Sequence, residues 1–304
     1  MRRKSKGFIF IAVLFSLTLL LTAATAFAWF ARAESKREAA RENILKCRGV
    51  AETAAEIVGE RIAADRNGYD GFDEPLYAPG GSIRFRIGEY AVTVHITPLG
   101  GKMPLNALLL PDRVTVREEY KNAWNAIWEE AGHEELAQRV IDFMDADASQ
   151  KLGGAEDENN INRPVVDLCE LKAVPGVDDD LLWGGRERPG GAARYLEALD
   201  GQKININVAE AEMIAKLDPG ITIDTARLVA ASRLSSPLKS IEDLRRVPGF
   251  PAALATKLAN VIGYESAFFL LETNVTAGSG TAARNYRITM RRTENKCIIE
   301  KWEE

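Results

Sequence analysis

Hydrophobic positions change rhythm repeatedly along this 304-residue chain, and each change predicts a different element. Between Phe8 and Phe30 no residue is charged and apolar side chains fall on every face, which predicts a helix without a polar side. From Ala31 the text becomes rich in Ala, Glu and Arg, with no proline and no glycine before Gly49, so the helix is expected to continue. Here Ile44, Cys47, Val50, Ala51, Ala54, Ile57, Val58 and Ile62 recur at three and four, one stripe that must pack on something. Asn67-Gly68 and Asp70-Gly71 then stop it. A helix from Phe8 to about Asp65 would be roughly 85 Å long.

The rhythm then shortens. Ile83, Phe85 and Ile87 alternate with Arg84 and Arg86, and beyond Gly88-Glu89 the alternation resumes with Val92, Val94 and Ile96, predicting a hairpin with one buried face. His95 lies on the solvent phase. Helical spacing takes over from Val114 to Ile262, with Trp124 and Trp128 four apart and expected in the core. Strand text returns in "AFFLLETNVTAG", "ARNYRITMRRT" and "KCIIEKWEE". A lone hairpin is marginal, so the two ends are expected to pair, with the helical block inserted into a small α+β domain. Two domains in series is the alternative.

The helical block repeats itself. "CELKAVPGVDDDLL" at 169–182 and "EDLRRVPGFPAALATKL" at 242–258 share an acid, Leu, two spacers, Val-Pro-Gly and a hydrophobe, and "KLDPGITIDTARLVAASR" at 216–233 is a looser copy. Each reads as helix, Pro-Gly turn, helix, and the unit resembles the helix-hairpin-helix, whose turn N–H groups can grip a nucleic-acid phosphate. The tandem copies look like those of exported competence DNA receptors. Their usual Gly-hydrophobe-Gly turn is replaced by Gly220-Ile221-Thr222 and Gly249-Phe250-Pro251, and Pro251 removes an N–H donor. Lys239, Arg245 and Arg246 are offset by Glu242 and Asp243, so nucleic acid is the lesser reading.

Charge settles how the opening run is oriented. Arg2, Arg3, Lys4 and Lys6 precede it, which holds that end on the cytoplasmic side and exports the rest. Its length suits a retained anchor, although Ala26-Phe27-Ala28 would suit a signal peptidase. The net charge of -5 offers no broad basic field. The 3 cysteines, Cys47, Cys169 and Cys297, show no metal spacing and are read as small buried hydrophobes, with Cys169–Cys297 the candidate pair if one forms. No nucleophile motif or phosphate loop occurs, and His95 and His133 read as surface or capping residues, so no enzyme is expected.

One stretch asks for a cation. In "DADASQKLGGAEDENN" at 145–160, Asp145, Asp147, Ser149 and Glu156 take positions 1, 3, 5 and 12 of an EF-hand-type register, with Asp157 as a further oxygen ligand. Gln150 stands where that loop wants glycine.

Taken together, "KG-FIF", "GKMPLNALL", "IDFMDADASQKLGGAEDENN", "CELKAVPGV", "KININVAEA" and "SAFFLLE" give the chain, over nearly its whole length, a pattern that resembles the general secretion pathway protein K family, the minor pseudopilins of type II secretion. The resemblance implies a pilin-like fold, a long N-terminal helix with a small antiparallel sheet, carrying a large inserted all-α domain with helix-hairpin-helix-like repeats. It implies a leader at 1–7, a transmembrane half-helix at 8–30, a periplasmic half-helix at 31–66, sheet at 67–105 and 264–304, and the insertion at 106–263. Prepilin peptidase would cut between Gly7 and Phe8, and the new amine of Phe8 would be methylated. Most pilin-like subunits carry glutamate at the fifth mature position; Ala12 stands there, as is usual for the K type. The implied role is to initiate and cap the periplasmic pseudopilus from the inner membrane, with minor pseudopilins I and J and the assembly platform as partners and calcium as cofactor. The resemblance implies no catalysis.

Overall fold

The computed structural model describes residues 5–147, 149–155, 159–186, 190–199, 201, 203–278 and 283–304. Helix α1 (Ser5–Ala64) is unbroken. Its charged half is laced by Glu34–Arg37, Glu38–Arg41 and Glu42–Lys46 pairs, with the acid on the N-terminal side where the helix dipole favours it. Gly68, at φ +84°, turns the chain away after the last turn. From Cys47 to Ile62 one face is buried through Cys47, Ala51, Ala54, Ala55, Val58 and Ile62. Ile57, expected on the stripe, is 47% exposed, because it lies about 110° around the helix from the centre of the buried face, and Ala55 takes part in its place.

That face packs on a sheet of order β1-β2-β7-β8-β9. Strand β1 (Ile83–Ile87) pairs antiparallel with β2 (Tyr90–Pro98), and the two-residue connection places Gly88 at φ +58°, where a hairpin turn of the primed kind needs glycine. Val92, Val94 and Ile96 point to α1; His95 points outward, its Nδ1 2.7 Å from the Gly81 carbonyl oxygen. Two short parallel bridges follow in chain order, β3 (Met103–Pro104) with β4 (Leu196–Glu197) and β5 (Ile204–Asn205) with β6 (Ile262–Gly263). Strand β7 (Phe268–Thr276) then pairs along β2, β8 (Ala283–Arg292) along β7, and β9 (Cys297–Glu303) along β8. Pro98 is opposite Phe269, so everything from Leu99 to Ala267 leaves and re-enters between two neighbouring strands.

The inserted body has its own core, separate from that under α1. Helix α2 (Glu118–Glu130) holds Trp124 and Trp128 edge to face at 5.5 Å, and Trp124 Nε1 donates at 3.0 Å to the carbonyl of Ala137 on α3 (Glu135–Met144). The three repeats fold as hairpins: Leu168–Ala173 with α4 (Asp179–Trp183), α5 (Ala211–Lys216) with α6 (Ile223–Ser232), and α7 (Ile241–Arg246) with α8 (Ala252–Lys257). In the first, the leading arm is a 3-10 turn rather than an α-helix, begun by Asp167, whose carboxylate accepts the Cys169 N–H at 2.9 Å. The insertion is helical, as expected, and two short bridges tie its stems; pairs of two residues are too short for alternation to announce. Cys47 is buried, Cys297 half-buried and Cys169 exposed, and all are free thiols, so Cys169 is not the buried hydrophobe expected and the Cys169–Cys297 pair is not formed.

Candidate functional site

Three regions carry the chemistry the sequence suggests. The first is the opening of α1. Gly7 and Phe8 lie inside the helix, and from Phe8 to Phe30 the large apolar side chains stand exposed on every side, Phe8 at 75% and Trp29 at 73%. Of the described residues, α1 alone offers a helix long and apolar enough to cross a membrane. A surface of this kind is stable only in lipid or against other apolar helices.

The second is the acidic loop after α3. Asp145 is buried at the helix end and pairs with the Lys151 ammonium through Oδ2, while Oδ1 is buried with no hydrogen-bond partner among the described residues. Burial pushes its carboxyl above the usual range, against the pull of Lys151, and Asp147 and Asp142 add to the push. Asp147 is half-buried and its Oδ1 accepts the Ser149 N–H at 2.8 Å; Ser149 is exposed. Gln150 donates to the Gly154 carbonyl at 2.8 Å instead of leaving room for a ligand turn. Glu156 and Asp157 lie outside the described residues.

Asp142, one helical turn before Asp145, completes this loop's charge. It is fully buried, accepts Gln138 Nε2 at 2.8 Å and the Lys151 N–H at 3.3 Å, and Gly154 sits so close that a Cβ there would fall 1.8 Å from its Oδ2. Sequence reasoning missed it because a polar residue in a helix reads as a solvent position; the signal was Gln138 four residues earlier. Among the described residues Asp142, Asp145 and Asp147 do not meet at one point as a cation's ligands would. The orphan oxygen of Asp145 nonetheless fits a hard cation, and Lys151 already supplies positive charge there.

The third region is the pair of glycine turns. Gly220 donates its N–H to Asp218 Oδ1 at 2.9 Å and Ile221 its own to the Asp218 carbonyl at 2.9 Å, while Ile221 and Phe250 bury their side chains. Lys257 pairs with Asp218, Arg245 with Glu242 and Arg246 with Asp243. The Gly220 and Ile221 donors of the first turn and the Phe250 donor of the second are thus occupied, and a carboxylate stands at the first turn.

The asparagines of "KININVAEA" are structural. Asn205 Nδ2 donates to the Asp70 carbonyl at 3.0 Å and to Ser266 Oγ at 2.9 Å; Asn207 exchanges two bonds with the Leu238 backbone, at 2.8 and 2.9 Å. Asn205 fastens the insertion to the loop that follows α1, and Asn207 ties Leu238 to the same turn.

These features define a pilin-like fold whose sheet is interrupted by a helical body. A chain of the crystal structure of the GspK–GspI–GspJ complex from the enterotoxigenic Escherichia coli type 2 secretion system has this fold: it matches with a TM-score of 0.61 at 17% identity, over 90% of this chain and 98% of that one. No protein-family model and no curated protein matches the chain.

Proposed function

We propose that the chain is a minor pseudopilin of the K type, a non-enzymatic subunit that initiates and caps the pseudopilus of a type II secretion system. Its α1 would stand in the inner membrane with its start in the cytoplasm and the folded body in the periplasm, after cleavage between Gly7 and Phe8 by prepilin peptidase. The matched complex joins GspK with GspI and GspJ; the corresponding partners here are I-type and J-type subunits, gathered on the inner-membrane assembly platform.

The observation that carries this reading is the placement of the insertion. It departs from the strand ends nearest the C-terminal, membrane-distal end of α1, where Asp70 N–H meets the Tyr264 carbonyl at 2.9 Å and Arg292 reaches Asp70. A body of this size beyond the helix end leaves no room for a further subunit to stack above. The exposed apolar surface of α1 supports helix-to-helix association below. Calcium at Asp145 fits the same reading, with Asp147, Ser149, Glu156 and Asp157 as the candidate oxygen donors and Asp142 as a buried neighbour. Competence-type DNA binding is the weaker reading, because Asp218 and the buried Ile221 and Phe250 occupy the turns.

The test is assembly of the full-length chain in detergent with the I-type and J-type subunits of the same cell. A stable three-component complex at physiological salt is expected. Failure of the folded chain to bind either subunit, or retention of DNA at that salt, overturns the proposal.

A further inference from the structure

A second group of acids lies where α1 hands over to the sheet. Oxygens of Asp65, Asp70 and Glu74 all lie within 4.8 Å of one another; Asp70 and Glu74 are buried and Asp65 is half-buried. Asp70 Oδ1 accepts Arg292 Nη1 at 3.1 Å, and its Oδ2 accepts Arg292 Nη2 and the Ser266 N–H, the latter at 2.6 Å. Glu74 Oε2 accepts the Gly71 N–H at 3.0 Å and Oε1 accepts Asn67 Nδ2 at 2.5 Å, while Asp65 Oδ1 accepts the Asn67 N–H at 3.3 Å. A carboxylate has about four acceptor positions, so each acid keeps some free.

The charges do not balance. Arg292 is the cation paired with this group among the described residues; Lys239 lies over the Tyr69 ring and bonds the Asn67 carbonyl, and Arg66 bonds the Glu294 carbonyl. Asp73 binds the Tyr69 hydroxyl, and Glu265 stands 3.8 Å from Arg292. Carboxylates held this close away from water require a proton or a cation between them. Independently, the Tyr77 hydroxyl is buried with no hydrogen-bond partner among the described residues, and Asp70, Asp65, Arg292 and Glu74 are the charged groups that act on it. A buried hydroxyl without a partner marks a missing one.

We propose that Asp65, Asp70 and Glu74 form a divalent-cation site of the calcium type, with the Tyr77 hydroxyl facing water carried by the ion. All-oxygen donors on a loop of irregular geometry suit calcium better than magnesium, which demands a regular octahedron. The ion would sit at the junction of α1, β8 and the chain returning from the insertion, and so fix the angle at which the insertion stands on the helix.

The experiment uses the full-length chain in detergent carrying Asp145→Asn, which disables the loop after α3, and titrates calcium chloride calorimetrically at neutral pH. Calcium binding that persists in this variant and weakens at least tenfold when Asp65→Asn is added is the expected result. Asp65 is half-exposed, so that variant keeps its fold even if Glu74→Gln does not. A folded Asp145→Asn chain that binds no calcium overturns the proposal, as does binding that Asp65→Asn leaves unchanged.

Discussion

Gly59 of α1 lies so close to Met290 of β8 that a Cβ on the glycine would stand 2.7 Å from the methionine Cε, and 3.1 Å from Cys297 Cβ. The side chains of Met290 and Cys297 occupy the space that a larger residue would need here. Glycine inside a helix costs about 1 kcal/mol relative to alanine, and this contact is what offsets it. Gly59→Val should therefore destabilise the fold by about 1–3 kcal/mol through overpacking, read as a lower denaturant midpoint with an unchanged slope. Equal stability would mean that the helix rides further from the sheet.

Arg292 and Asp70 join β8 to the loop after α1 in a buried pair. Removing one member leaves the other charge uncompensated, at a cost of about 3–5 kcal/mol. Arg292→Met should lower thermal stability accordingly, and Arg292→Met with Asp70→Asn should recover part of the loss. A double variant no better than the single would show that the Asp70 carboxylate matters through the Ser266 N–H it accepts instead.

Glu74 sets a pH dependence. Its folded value, about 7, lies above the ordinary 4.5, so its contribution is fully present below about pH 4.5 and is lost as pH rises through about 7. In chelator, stability should fall across that window by on the order of 2 kcal/mol, the full shift being trimmed by partial solvation. Calcium should flatten the slope. Urea melts at several pH values check both, and a slope that persists in a folded Glu74→Gln variant would assign it elsewhere.

The mature N-terminus tests processing. Mass spectrometry of the chain from native membranes should find it beginning at methylated Phe8. A start at Trp29 would instead identify a signal peptide cut after Ala28 and remove the apolar half of α1.

What could be read from the sequence depended on repetition. The extent of α1, the hairpin around Gly88 and the paired tryptophans were legible because each rests on periodicity or on a turn residue with one conformation. Ile57 was misplaced because a stripe read at three and four is wider than the sheet that receives it. Asp142 and the Asp65–Asp70–Glu74 group were illegible for another reason: their surroundings are supplied by Gly154, Arg292 and Ser266, Arg292 standing 222 positions from Asp70. Cys169 is exposed because Asp167 opens a turn just before it, a local choice that composition does not reveal.

The placement of Pro98 against Phe269 governs the order in which this protein can fold. When β2 has been made, its partner β7 does not yet exist, and the free edge must wait while the intervening body is completed. Left as a loose loop, that stretch would oppose pairing through the entropy of bringing distant ends together. Once folded, the bridges Met103–Leu196 and Ile204–Ile262 tie each stem to the body, and the Asn205 N–H bond to the Gly100 carbonyl brings the two stems together. The insertion thus acts as a jig for the sheet, which closes last.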